Sequence, residues 1–193
     1  LLGALSVFRE PIELAALTEQ GLNIDELDSL VESGLARHAD SDTYDVHDLI
    51  REFLLQSLDK QAKEDLHNKA VSWYNKQLPS SQIALELIYH LIASSRHEDA
   101  TELVVEQGRN LIKEGHIELL GLLESIDTQS VAAESACRVD RLRGEVLALL
   151  GRFDEAEEAF NLAKVPAEAS GLSDVIADIV SNLADIALKR GDS

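Results

Sequence analysis

A chain of 193 residues with 45% hydrophobic content can bury a substantial core in one or two domains. Its 36 acidic and 17 basic residues leave a formal charge of −19, which argues against nucleic acid as a direct partner. One cysteine, Cys137, permits no internal disulfide and fits a reducing compartment; with no apolar run near the ~18 residues of a membrane span, a cytoplasmic protein without membrane contact is expected.

Aromatics are only 4% and prolines number 3, in a sequence rich in Leu, Ala and Glu. That composition suits many short helices packed through small aliphatic side chains. There is no methionine, and residues 1–8 read as a helix entered partway, so a fragment of a longer chain is expected. Pro11 suits the first turn of a helix, with Ile12, Ala15, Ala16 and Leu17 as its apolar stripe. After a turn at residues 21–23, Leu27, Leu30 and Val31 recur at helical spacing. Gly34 then stands where a left-handed cap is wanted. Residues 35–38 and 43–46 read as a hairpin around residues 39–42.

The most informative run is Tyr44 to Phe53. Tyr44 and Val46 alternate with Asp45 and His47, the period of a half-buried strand. Asp48 is placed to cap the apolar-periodic helix that follows. His47 is thereby held at a strand–helix junction; the plainer reading is a surface histidine beside a good cap. The run resembles the MHD motif in the winged-helix part of STAND-class signal-transducing ATPases, with Val46 in place of the methionine. Gly34-Leu35 and the His47 to Phe53 segment also fit that module. The resemblance implies a winged helix over residues 1–59 that docks on a nucleotide-binding domain of the same chain. It further implies that His47 faces the β-phosphate of ADP, supported by Val46 and Asp48.

A winged helix commonly reads DNA, but the helix that would enter the groove carries Asp25, Glu26, Asp28 and Glu32 and no base. Residues 1–60 hold 4 basic and 13 acidic side chains. Such a face repels phosphate, so a DNA-binding regulator is the weakest of the readings and a protein partner the stronger.

From residue 60 the pattern is helical throughout. Ala62, Leu66, Ala70, Trp73 and Tyr74 line one helix; Ile83, Ala84, Leu87, Ile88, Leu91 and Ile92 line the next. Residues 149–160 closely resemble a tetratricopeptide repeat. In that resemblance Gly144 is the small residue at a helix crossing, Gly151 makes the turn and Phe153 packs beneath it. Ala156 allows close approach, while Phe160 and Ala163 fill the groove. Residues 183–192 repeat the first-helix half, residues 95–104 echo it and residues 113–116 echo it faintly. A spacing near forty residues is similar to the sensor arms of the maltose-regulon activator group of STAND proteins. The expected fold is therefore mainly α: a winged helix, then a right-handed solenoid of tetratricopeptide-like hairpins over residues 60–193. The acidic run Glu155, Glu157 and Glu158 reads as a solvated helix face.

Catalytic signals are absent. No G-x-x-x-x-G-K-[ST] loop is present, so the chain cannot cradle a triphosphate unaided. His38, Asp40, Asp42 and His47 lack a recognised metal-ligand spacing. His90 and His97 would share a face only if one helix ran through Ser94-Ser95, and Cys137 suits a packed thiol. The expectation is a non-enzymatic regulatory fragment without a cofactor of its own, ADP or ATP belonging to the full-length protein. Its arm would sense an inducer or a protein. The alternative is a tetratricopeptide adaptor that works without nucleotide.

Overall fold

The computed structural model describes residues 2–191, apart from the side chain of Leu2. The readings made on Leu1 and on Asp192 lie outside those residues. Two compact units divide the chain. One runs to Leu78 and takes in Ala93–Ser95; the other holds Pro79–Ile92 and the chain from Arg96 onward.

The first unit contains α1 (Leu2–Ser6), β1 (Ile12–Glu13), α2 (Leu14–Gln20), α3 (Ile24–Glu32), β2 (Arg37–His38), β3 (Thr43–Asp45), α4 (Asp48–Ser57) and α5 (Lys60–Tyr74). Pro11 does not open a helix, as the sequence suggests it should. It precedes β1, which pairs antiparallel with β3, Ile12 opposite Tyr44 and Glu13 opposite Thr43. A proline just outside a two-residue edge strand gives up no ladder bond. Ile12 is buried on the strand and Ala16 and Leu17 on the helix, whereas Ala15 is exposed.

Local chemistry fixes the ends of α3. Asn23 Oδ1 accepts the Glu26 N–H at 2.8 Å, and the Glu26 carboxylate accepts the Asn23 N–H at 3.2 Å, a reciprocal cap. At the other end Gly34 takes φ 71°, which lets the Leu35 N–H reach the Leu30 carbonyl at 2.9 Å. The chain then enters the β2–β3 hairpin, Arg37 opposite Asp45 and His38 opposite Tyr44, giving the strand order β1-β3-β2.

α5 buries His67, Ala70, Val71 and Tyr74, a spacing that puts them on one face. The sequence sets this helix at the head of the arm; by packing it belongs with the first unit. Gln20 Nε2 donates to the Leu66 carbonyl at 3.3 Å, and Lys69 Nζ donates to the Gln20 carbonyl at 3.1 Å. The Phe8 and Tyr74 rings meet edge-on at 6.2 Å.

Burial, and secondarily Lys63, lowers the His67 pKa from 6.5 to about 4. The folded state therefore holds His67 neutral where the unfolded chain would protonate it. That contribution is complete above about pH 6.5 and is lost as pH falls toward 4. The loss should reach about 2–3 kcal/mol. Thermal melts between pH 4 and 7 should show a steeper decline for the parent than for His67→Leu; parallel curves would remove this assignment.

The second unit contains α6 (Ser81–Ala93), α7 (His97–Glu114), α8 (Leu119–Ser125), α9 (Ala133–Leu149), α10 (Phe153–Ala169) and α11 (Ser173–Arg190). Its continuous core includes Leu85, Ile88, Leu111, Leu142, Phe160 and Ile179. The short α8 has no counterpart in the sequence reading; it buries Leu119, Leu120, Leu122 and Leu123.

α9 and α10 fold back on each other through Gly151. There φ 74° lets the Arg152 N–H reach the Leu147 carbonyl at 3.0 Å. α10 buries Ala156, Ala159, Phe160, Ala163 and Ala167. Small side chains at that spacing let two helices approach closely. At the crossing, a Cβ on Gly144 would stand 2.6 Å from Phe160 Cε1. Phe153 is half-buried, with the Arg190 guanidinium 5.9 Å from its ring centre. No helix of the described residues is long and apolar enough to cross a membrane.

Candidate functional site

Two places merit attention, one in each unit. The first is the β3–α4 junction. Asp48 is not the cap of α4, contrary to the sequence expectation. His47 occupies the cap position, and its side chain makes no capping bond. The reason is that the first helical bonds already run to the His47 carbonyl, from the Ile50 N–H at 2.8 Å and the Arg51 N–H at 2.9 Å. Asp48 is thus the first helical residue, its carboxylate 3.5 Å from Arg51 Nη1. Acid in a first turn still suits the helix dipole. Asp48→Ala then removes only an exposed charge, and should cost about a few tenths of a kcal/mol.

Strand alternation fails at Asp45, which is buried like its neighbours Tyr44 and Val46. An ionic network explains it. Asp45 Oδ2 accepts from Arg37 Nη2 at 2.6 Å and Nε at 3.1 Å. Oδ1 accepts from Arg51 Nη2 at 2.7 Å and from the Val46 N–H at 2.7 Å. Arg51 also donates to the Arg9 carbonyl at 3.1 Å and the Val46 carbonyl at 3.3 Å. One guanidinium therefore ties the segment after α1, the end of β3 and the start of α4 together. Its planar fork suits several oxygens at once. The sequence does not single out Arg51, because it shows the motif position and not the buried acid that this side chain answers.

His47 stands on this brace with its side chain exposed. The helix it opens has no buried residue at all, although its apolar periodicity promised a core-facing stripe. Leu49 is 76% exposed and Phe53 70%, and residues four apart share a helix face. The junction thus carries an exposed imidazole, and the helix it opens an exposed apolar strip at Leu49 and Phe53.

The other histidines are elsewhere occupied. His38 lies against Tyr44, ring centres 4.6 Å apart and planes tilted by 44°; no group of His, Cys, Asp and Glu that could hold a metal occurs among the described residues. His90 and His97 lie on separate helices, broken at Ser95 with φ 61°. His97 Nδ1 receives the Asp127 N–H at 3.3 Å. Cys137 is buried, its thiol bonded to the Glu134 carbonyl at 3.0 Å and its pKa pushed up by that burial. The acidic face of α10 is partly neutralised: Glu155 pairs with Arg152, while Arg190 holds Glu157 and Asp154.

The second place is a groove of about 340 Å³ among α7, α9 and α11. Asp178 pairs with Arg109, and the buried Arg141 beneath it pairs with Glu145 and lies 3.7 Å from Asp178. Burial lowers the Arg141 pKa from its ordinary value, yet two carboxylates keep the guanidinium compensated. Ile112, Leu149 and Ile186 supply the apolar wall, and Lys113, Asp185 and Lys189 the remaining charges.

No protein-family model matches the chain, and no curated protein matches it. A solved structure does: the signal transduction ATPase with numerous domains (STAND) protein with a tetratricopeptide repeat sensor from Pyrococcus horikoshii. It aligns over 99% of this chain and 32% of its own length, at 19% identity and a TM-score of 0.61. The chain thus spans about a third of that protein, and at this identity the likeness is one of fold. This mainly helical chain is built like a stretch of a STAND protein that carries a tetratricopeptide repeat sensor.

Proposed function

We propose that this chain is the regulatory portion of a STAND-type ATPase. Residues 1–59 act as a winged-helix module that docks on a nucleotide-binding domain of the same protein and presents His47 to ADP. Residues 60–193 act as a right-handed, tetratricopeptide-like arm that senses an inducer or a protein, in the manner of the maltose-regulon activator group. Ligand on the arm shifts the balance between an ADP-closed and an ATP-open state, which requires that it prefer one of them.

The observation that carries this reading is the exposed His47 on an Arg51-braced junction, with Leu49 and Phe53 uncovered on the helix that follows. A rigid support under an exposed imidazole is what a phosphate contact needs, and the apolar strip gives a docking domain area to bury. The strand order β1-β3-β2, with two helices between β1 and the hairpin, supports the winged-helix assignment. The fold likeness supports the STAND assignment.

His47→Ala in the full-length protein tests it. Loss of a charge-assisted hydrogen bond costs about 1.5–3 kcal/mol, roughly a tenfold to hundredfold loss of affinity. ADP should leave faster and basal signalling should rise, while the melting temperature of residues 1–193 stays put. Unchanged ADP release with a lowered melting temperature would make His47 a structural residue and return the chain to a nucleotide-independent adaptor.

A further inference from the structure

The groove among α7, α9 and α11 keeps charges that nothing in the fold uses. Most basic side chains in this acidic protein hold a carboxylate, Arg37, Arg51, Arg138, Arg152 and Arg190 among them. Lys113 and Lys189 do not: neither has a carboxylate within ion-pair distance among the described residues, and both line this groove. The Lys189 ammonium lies 6.0 Å from the Phe153 ring centre, a weak contact that does not neutralise it. Of the acids at the groove, Asp178 and Glu145 are already turned to Arg109 and Arg141. Only Asp185 remains against the two lysines.

Among the described residues Lys63 and Lys69 of α5 also lack a paired acid; Lys113 and Lys189 differ in sharing one concavity. With the buried Arg141 counted, Arg109, Lys113 and Lys189 face Glu145, Asp178 and Asp185 with a small positive excess, in a chain of net charge −19. Ile112, Leu149 and Ile186 line the same groove, and its volume sits at the small end of ligand sites.

From this we infer that the groove binds a small organic anion with an apolar body: a carboxylate at Lys113 and Lys189, its hydrocarbon part against Ile112, Leu149 and Ile186. The inference rests on the reading of residues 60–193 as a sensing arm and names the chemistry sensed. The carboxylate can come from a free acid or from the C-terminus of a peptide. Asp185 sets a limit, because it disfavours ligands that carry a second negative charge along α11.

The test is calorimetric titration of the protein with acetate, butyrate and hexanoate, and with Ala-Leu-Leu bearing a free or an amidated C-terminus. Saturable binding that tightens about fourfold per added methylene is expected, from the ~0.8 kcal/mol each buries. K113Q/K189Q should weaken it at least tenfold without changing the circular dichroism, and D185N should leave it unchanged or tighten it. Binding of hexanoate points to a small-molecule source. Binding of the free-acid peptide alone, lost on amidation, points to a protein terminus; either outcome supports the proposal. No binding by any probe, or binding indifferent to K113Q/K189Q, overturns it. That failure is separable from failure of the sensing-arm reading, which would show as full-length signalling indifferent to every substitution on the arm.

Discussion

Arg51→Ala is expected to cost the first unit about 2–4 kcal/mol, the largest loss from any single polar substitution in it. The change removes the more buried of the two cations on Asp45 and leaves a carboxylate only 10% exposed with Arg37 as its remaining base. It also strips a donor from the Arg9 and Val46 carbonyls. Arg37→Ala should cost about 0–1 kcal/mol, because that side chain is 62% exposed and solvent can take its place. Arg51→Lys keeps the charge but not the fork, so it should fall between the two. Denaturant melts of the three variants settle the order. Equal losses for Arg37→Ala and Arg51→Ala would mean that the network is a surface ion pair and not a brace. If His47 meets ADP as proposed, Arg51→Ala in the full-length protein should also loosen the nucleotide.

Gly144→Ala should destabilise the second unit even though alanine favours helices. The gain in propensity is about 1 kcal/mol, but the new Cβ would stand 2.6 Å from Cε1, 2.7 Å from Cδ1 and 2.9 Å from Cζ of Phe160. That ring is fully buried and has nowhere to swing, so overpacking of about 1–3 kcal/mol or more prevails. Gly121→Ala is the matching control. A Cβ there meets nothing within 4 Å, and the variant should gain about 0.5–1 kcal/mol. Gly144→Ala combined with Phe160→Leu should cost less than the two changes summed, because the smaller residue vacates the clash. A stabilised Gly144→Ala would show that the helices can part at no cost.

What the sequence discloses and what it hides follow from how local each signal is. The turn at Gly151 and the alanine spacing of α10 are written in consecutive residues, and the structure has Gly151 at φ 74° between α9 and α10 and those alanines buried. The hairpin around residues 39–42 is local in the same way. β1 is two residues long and exists only by pairing with β3, thirty-odd positions away, so Pro11 beside a helical stripe misleads. Alternation puts Asp45 outside, because period counts position and not partner; Arg37 and Arg51 reverse it. Apolar periodicity in α4 likewise cannot say whether a core exists to receive it. The groove is the least legible feature, since its lining comes from three helices that are not neighbours in sequence.

α4 carries one last implication. An element with no buried residue holds little of the free energy that keeps its unit folded, and sits low on the ladder of local opening energies. Its grip comes chiefly from Arg51 at one end and from contact with α1. A helix so anchored can tilt or fray at its far end without a core to break, so its amides would trade hydrogen with water ahead of those in α9 and α10. The motion that a docking domain would have to impose is therefore cheap, and the imidazole at the fixed end keeps its place while the rest of the helix yields.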